Sequence, residues 1–217
     1  MEVRDAMADD ADRTHYFTTK PDVPSEPQEI EAQVRGRRLS LVTDRGVFSR
    51  GKVDAGSRLL AEQMDLDDAA DMLDWGCGWG LVGIVAKKKW PDLDVVMVDI
   101  NERACELARR NLKRNDVEAE VIAGDAGEVL AGRRFDAVVC NPPIAAGRAV
   151  VLRAMDQAAE LLREGGDFWM VAATKKGAKT LRRKLEERFA DVELTAKRGG
   201  FRVYRASEPL DREDEGE

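Results

Sequence analysis

From residue 70 to the end of the chain, short apolar runs alternate with longer amphipathic stretches. "ADMLDW" (70–75), "DVVMVD" (94–99), "EAEVIAG" (118–124), "FDAVVC" (135–140) and "GDFWMVAAT" (166–174) read as strands. "GLVGIVAKKKW" (80–90), "NERACELARRNLKRN" (101–115), "RAVVLRAMDQAAELLREG" (148–165) and "GAKTLRRKLEERF" (177–189) read as helices, with a short helical turn near 126–131. Gly165-Gly166 is predicted to stop the third long helix. "DVELTAK" (191–197) and "FRVYRA" (201–206) close the chain as two strands, antiparallel across a turn at Lys197-Arg198-Gly199-Gly200. This alternation predicts an α/β fold, a largely parallel sheet with helices on both faces.

The first third has a different rhythm. Residues 1–31 are polar, with Pro21, Pro24 and Pro27 close together, and read as a loosely held arm. "RRLSLVTDRGVFS" (37–49) alternates on both sides of Asp44-Arg45-Gly46, a hairpin expected to turn there. "DAGSRLLAEQM" (54–64) reads as a short amphipathic helix. The expected organisation is an acidic arm (1–31), a hairpin and helix (32–68), the α/β unit (69–207) and an acidic tail (208–217).

Charge sharpens this division. The net charge is −7, but residues 1–31 carry nine acids and three bases, and residues 210–217 five acids and one base. Residues 173–205 carry eleven bases and four acids, so the body holds a basic segment. The longest uncharged stretch, "WGCGWGLVGIVA", is too short to span a bilayer. The N-terminus lacks the apolar core of a secretory signal. Cys77, Cys105 and Cys140 fit neither a metal spacing nor a disulfide framework. A cytoplasmic protein with no metal is expected.

In a parallel sheet, ligands bind beyond the carboxyl ends of the strands. Three features gather there. The first strand runs into "DWGCGWG" (74–80), whose Gly76, Gly78 and Gly80 allow close approach to the backbone at a helix start. Gly78, Gly80 and Gly83 also satisfy G-x-G-x-x-G, so the glycines alone leave a nicotinamide cofactor and S-adenosylmethionine both open. Asp99 ends the second strand, where a carboxylate accepts from both hydroxyls of a ribose, unless it merely caps the next helix. Ile100 beside it flanks an adenine, and Asp125 is a candidate for the adenine amine.

The third feature is "CNPPI" (140–144). Pro142 cannot donate to a sheet ladder and pushes Asn141 toward an extended conformation. Asn141 is therefore held stiffly at the end of a strand. An amino group on an aromatic ring is a poor nucleophile because its lone pair is delocalised. The Asn141 side-chain oxygen and the Pro142 carbonyl, stiffened by Pro143, are two acceptors that would turn that lone pair toward an activated methyl group. The bland alternative is a strand-ending turn.

"DWGCGWG", "VVMVDIN", "FDAVVCNPPI", "GGFRV" and the preceding "GVFSRGKVDAGSRLL" together resemble the class I S-adenosylmethionine methyltransferases. The similarity is greatest to their small-domain subgroup, which includes small-subunit ribosomal RNA guanine-N2 methyltransferases and their single-domain archaeal relatives, and it covers about residues 15–206. It implies a seven-stranded sheet in the order 3-2-1-4-5-7-6. It implies that Asp74, Gly76, Gly78, Gly80, Asp99, Ile100 and Asp125, bordered by Asn141, hold S-adenosylmethionine. It also implies that Asn141 to Ile144 hold the target amine. Many amino-methylating relatives have an aromatic residue where this chain has Ile144. Phe201, in the last turn, and Phe48, before the fold, are candidates for the missing ring face.

Lys175, Lys176 and Arg198 should rim the site and attract a phosphate backbone. The expected partner is RNA, above all ribosomal RNA or a ribosomal subunit, met by a monomer or a homodimer. The alternatives are methylation of a protein glutamine, of tRNA or of an adenine amine. From other classes, a nicotinamide-dependent oxidoreductase and a cofactor-binding module without chemistry remain open.

Overall fold

A computed structural model describes residues 19–143, 147–173 and 178–210. Nine strands and six helices lie within them. The strands are β1 (Gln28–Val34), β2 (Arg37–Thr43), β3 (Asp71–Trp75), β4 (Asp94–Asp99), β5 (Glu120–Ala123), β6 (Phe135–Cys140), β7 (Leu162–Ala173), β8 (Phe189–Arg198) and β9 (Phe201–Pro209). The helices are α1 (Ala55–Gln63), α2 (Leu81–Lys89), α3 (Glu102–Arg114), α4 (Ala126–Val129), α5 (Arg148–Leu161) and α6 (Ala178–Glu186).

β3 to β9 form one sheet in the order β5-β4-β3-β6-β7-β9-β8. Counted from β3, this is the expected 3-2-1-4-5-7-6. The pairs from β5 to β7 are parallel, and β9 runs antiparallel to both neighbours. Alternation along each strand sorts the core into two layers. Met72, Met97, Ala137, Val139, Val171 and Val203 pack toward α1, α2, α3 and the β1–β2 hairpin. Leu73, Val96, Val98, Val138, Cys140, Met170 and Tyr204 pack toward α4, α5 and α6.

Three local expectations are corrected. The hairpin turns at Arg35-Gly36 rather than at Asp44-Arg45-Gly46, and β1 takes in residues 28–31, assigned from sequence to the arm. Apolar alternation marked β2 well, but β1, "QEIEAQV", is mostly polar because its outer face meets solvent. Residues 19–27 are not loosely held either. The Thr19 carbonyl accepts from Glu102 N, the Val23 carbonyl from Arg103, and Ser25 and Glu26 both donate to Asp44. Finally, α5 ends at Leu161, and Gly165-Gly166 lies inside β7. The pairing with β6 shifts register there, between Phe135 and Ala137. A Cβ on Gly166 would stand 2.8 Å from the Asp136 carbonyl, so this glycine serves a bulge, not a helix stop.

The hairpin is closed onto the sheet by amides. Asn111 of α3 accepts from Val42 N at 2.7 Å and donates to the Val42 carbonyl at 2.9 Å and the Trp79 carbonyl at 2.8 Å. One helical turn on, Asn115 accepts from Ser40 N and donates to the Ser40 carbonyl. Two side chains thus take the place of a neighbouring strand along β2, where unpaired backbone groups would be costly.

Candidate active site

β3, β4, β5, β6 and β7 all end at one edge of the sheet, and β9 begins there with Phe201 opposite Ala173. The glycine turn lies between β3 and α2. Gly76, Gly78 and Gly80 have φ of 69°, 56° and 93°. The turn is tied down by Gly76 N and Cys77 N donating to the Val98 carbonyl, and by Gly78 N donating to Asp99 Oδ2 at 2.8 Å. A Cβ on Gly76 or Gly78 would meet nothing within 4 Å. The left-handed backbone excludes side chains from space that the protein does not fill.

Asp99 does not cap α3. Asn101 does so, its side chain accepting from Arg103 N and Ala104 N. The second Asp99 oxygen accepts from Asn101 N at 2.9 Å. Each carboxylate oxygen has a further lone pair. Burial pushes this carboxyl up to about 6, against the two backbone donors that favour its charge. Ile100, next in line, is 41% exposed despite its size.

Asp74 lies beneath the turn and is 3% exposed. The N-cap position of α2 is Gly80, which has no side chain to offer. Asp74 Oδ2 supplies the acceptor instead, taking the Gly83 N–H at 2.9 Å. Burial is the main cause that pushes its carboxyl up to about 7, the Gly83 bond opposes this, and Asp99 nearby raises it further. Asp125 follows β5 and caps α4 through Gly127 N. Its oxygens also take Gln157 Nε2 at 2.7 Å and pair with Arg153 at 2.9 Å. Gln157 accepts in turn from Trp75 Nε1, so a buried amide joins β3 to the end of β5. Neither Arg153 nor Gln157 carried a motif that singled it out in the sequence.

Asn141 follows β6 at the same parity as Ala137 and Val139, which turns it toward α1. Its Nδ2 donates to Ser57 Oγ at 2.7 Å and to Asp54 Oδ2 at 3.2 Å. Asp54 is the N-cap of α1 and accepts from Ser57 N at 2.8 Å. Pro142 is buried and Pro143 half-buried. Phe201 is half-buried on the same face, so close to α1 that a Cβ on Gly56 would stand 3.0 Å from its ring. Phe48 is 46% exposed, and its carbonyl accepts from Trp79 Nε1 of the glycine turn. Asp54 and Ser57 were legible only as a helix start, and sequence reasoning gave them no role at the site.

The basic segment is only partly as expected. Ile144, Lys175 and Lys176 lie outside the described residues. Arg198 is exposed and pairs with Glu62 of α1 at 3.3 Å. Arg182, Arg183 and Lys184 pair with Glu186 or Glu187 along α6. Arg205, in the same segment, lies among Asp167, Asp191 and Glu193, well along β9. Near it, away from the glycine turn, a cavity of 340 Å³ is lined by Asp65, Asp67, Asp136 and Asp167 among other acids. The three cysteines are free and buried, and no group of three metal-ligating side chains occurs among the described residues. No helix among them is long and apolar enough to cross a membrane.

The family description "methyltransferase small domain" matches residues 38–205. The uncharacterized protein YbxB of Bacillus subtilis is 34% identical over 195 residues, covering 88% of this chain and 97% of its own. The ribosomal RNA small subunit methyltransferase C of Stutzerimonas stutzeri is 35% identical over 190 residues, covering 86% of this chain and 56% of its own. Among solved structures, the T. thermophilus 16S rRNA N2 G1207 methyltransferase in complex with AdoMet and guanosine superposes with a TM-score of 0.74 at 29% identity. That match covers 87% of this chain and 52% of the other. The chain thus spans about half the length of these methyltransferases and nearly all of YbxB.

Proposed function

The chain belongs to the methyltransferase small-domain family, and from that premise we propose that it methylates the exocyclic N2 amine of a guanine in small-subunit ribosomal RNA. Its cofactor is S-adenosylmethionine. When bound, that group supplies a sulfonium methyl, an electrophile that needs orientation more than activation.

The residues at the sheet edge fit such a cofactor. The space over Gly76 and Gly78 accepts a ligand against the backbone. Asp99 offers lone pairs to ribose hydroxyls, and the exposed Ile100 offers an apolar face to adenine. Asp125 keeps acceptor capacity beside its bonds to Gln157 and Arg153. Asp74 supports the turn from below by holding α2 in place.

The observation that carries the reading is the state of Asn141. Both hydrogens of its amide are committed to α1, which leaves Oδ1 as an acceptor at the edge where the glycine turn and Asp99 lie. Oδ1 and the Pro142 carbonyl receive the two hydrogens of the target amine and turn its lone pair toward the methyl group. This is catalysis by alignment, with no nucleophilic side chain required. Ile144, with Phe201 or Phe48, covers the face of the target ring, and Lys175, Lys176 and Arg198 meet phosphate. A base reached in this way must be unpaired or flipped out.

The test is methyl transfer from labelled S-adenosylmethionine to RNA and ribosomal subunits from cells lacking the protein, with Asn141→Ala alongside. Label in N2-methylguanosine, lost in the variant while cofactor affinity is kept, supports the reading. Label in protein glutamine instead, or cofactor binding without any transfer, overturns it.

A further inference from the structure

We propose that Asp54 and Ser57, in the first turn of α1, are positioning residues that fix which end of the Asn141 amide faces the target amine. The proposal rests on the reading of Asn141 given above and adds to it the device that makes it work.

The oxygen and nitrogen of a carboxamide are nearly equal in shape, so its partners decide which way it points. Asp54 can only accept. Its Oδ2 gathers three donors, Ser57 N at 2.8 Å, Ser57 Oγ at 3.3 Å and Asn141 Nδ2 at 3.2 Å. The Ser57 hydroxyl can give its proton to the same carboxylate oxygen, and its Oγ then accepts from Asn141 Nδ2 at 2.7 Å. The carboxylate, which cannot donate, thus sets the sense of the amide, and the hydroxyl follows it. Turned over, Asn141 would set its carbonyl oxygen against a carboxylate oxygen and would draw the Ser57 proton away from that carboxylate. The NH₂ end is held to α1, and Oδ1 is left to receive.

The same chain of bonds strengthens Oδ1 as an acceptor. An amide whose N–H groups bond to a carboxylate and to a hydroxyl beside it shifts electron density toward its oxygen. The helix that carries this device is itself fixed, since Leu59, Leu60 and Ala61 are buried. Gly56, between the two residues, leaves room for the Phe201 ring. One helical turn thus touches both the proposed amine holder and a proposed ring cover.

A merely structural bond would tie α1 to the sheet and affect stability alone. A double-mutant cycle separates the two roles. Ser57→Ala, Asn141→Ala and the double variant are compared in single-turnover methyl transfer to subunits from cells lacking the protein. Cofactor Kd, thermal unfolding and exchange of the Asn141 side-chain amide protons by NMR are measured on each.

Loss of the acceptor is expected to lower the transfer rate of Ser57→Ala about tenfold, as for one hydrogen bond acting in the transition state. Cofactor Kd should stay unchanged, Asn141 amide exchange should become faster, and Ser57→Thr should restore the rate. In the Asn141→Ala background the second substitution should cost nothing. Asp54→Asn, which keeps a helix cap, should slow transfer without lowering the unfolding temperature. An unchanged rate for Ser57→Ala, or an equal loss in both backgrounds, would overturn the proposal while leaving the role of Asn141 intact. Full activity of Asn141→Ala would overturn that role, and this proposal with it. Should the variant fall below detection, the Ser57→Ala and Ser57→Thr pair decides.

Discussion

Asp99 Oδ2 accepts the Gly78 N–H at 2.8 Å, so the carboxylate proposed to hold the ribose also holds the turn on which the cofactor would rest. Asp99→Ala removes both functions. Hydrogen bonds to charged groups contribute about 1.5–3 kcal/mol each. S-adenosylmethionine affinity is expected to fall about 100-fold or more, measured by calorimetry, with Asp99→Asn in between.

The same residue sets a pH dependence. In the proposed complex the ribose hydroxyls donate to the ionised carboxylate, and in the free protein burial pushes that carboxyl up to about 6. Affinity should be flat well above that value and should fall as pH drops through it. Asp99→Asn should flatten the profile.

Asp74 acts on stability with the opposite sense from an ordinary ion-paired acid. Its folded value, about 7, lies above the usual carboxylate range, so the folded chain binds the proton more tightly than the unfolded one. Its contribution is complete below pH 4 or so and is lost as pH rises through about 7. Asp74→Asn keeps an oxygen for Gly83 N and has no charge to bury. Its denaturation midpoint should exceed that of the parent at pH 8, and the gap should close at pH 5.

Gly56→Ala places a methyl group 3.0 Å from the Phe201 ring and 3.0 Å from Asp54 Oδ2. The ring must move, at about 1–3 kcal/mol for an overpacked site. Gly56 has no part in the proposed cofactor contacts and touches the ring proposed to cover the target base, so KM for RNA should rise while cofactor Kd stays constant.

Asn111 is fully buried and makes three hydrogen bonds through one amide. Asn111→Leu strands Val42 N, its carbonyl and the Trp79 carbonyl together. The loss should be about 3 kcal/mol or more, seen as a lower thermal midpoint.

The sheet was legible because a parallel strand buried on both faces writes itself as an apolar run, and "DVVMVD" or "FDAVVC" has few other readings. The placement of Asp99 and Asn141 at one sheet edge was legible because the strands that lead to them were. β1 was not, since "QEIEAQV" buries little, and the glycine pair in β7 looked like a helix stop because bulges and caps draw on the same residue. Asp54 and Ser57 escaped for a different reason. Their partner lies 84 to 87 positions away, and a helix cap explains them fully until the chain is folded.

The amides of Asn111 and Asn115 join β2 to a helix that belongs to the cofactor half of the fold. A cut drawn after residue 68 would look natural in the sequence, yet it would part each of these side chains from its backbone partner and remove Ser57 from Asn141. Trimming or swapping the hairpin segment alone would therefore leave these groups unpaired on both sides of the cut. A recombinant that changes one side must carry the other with it.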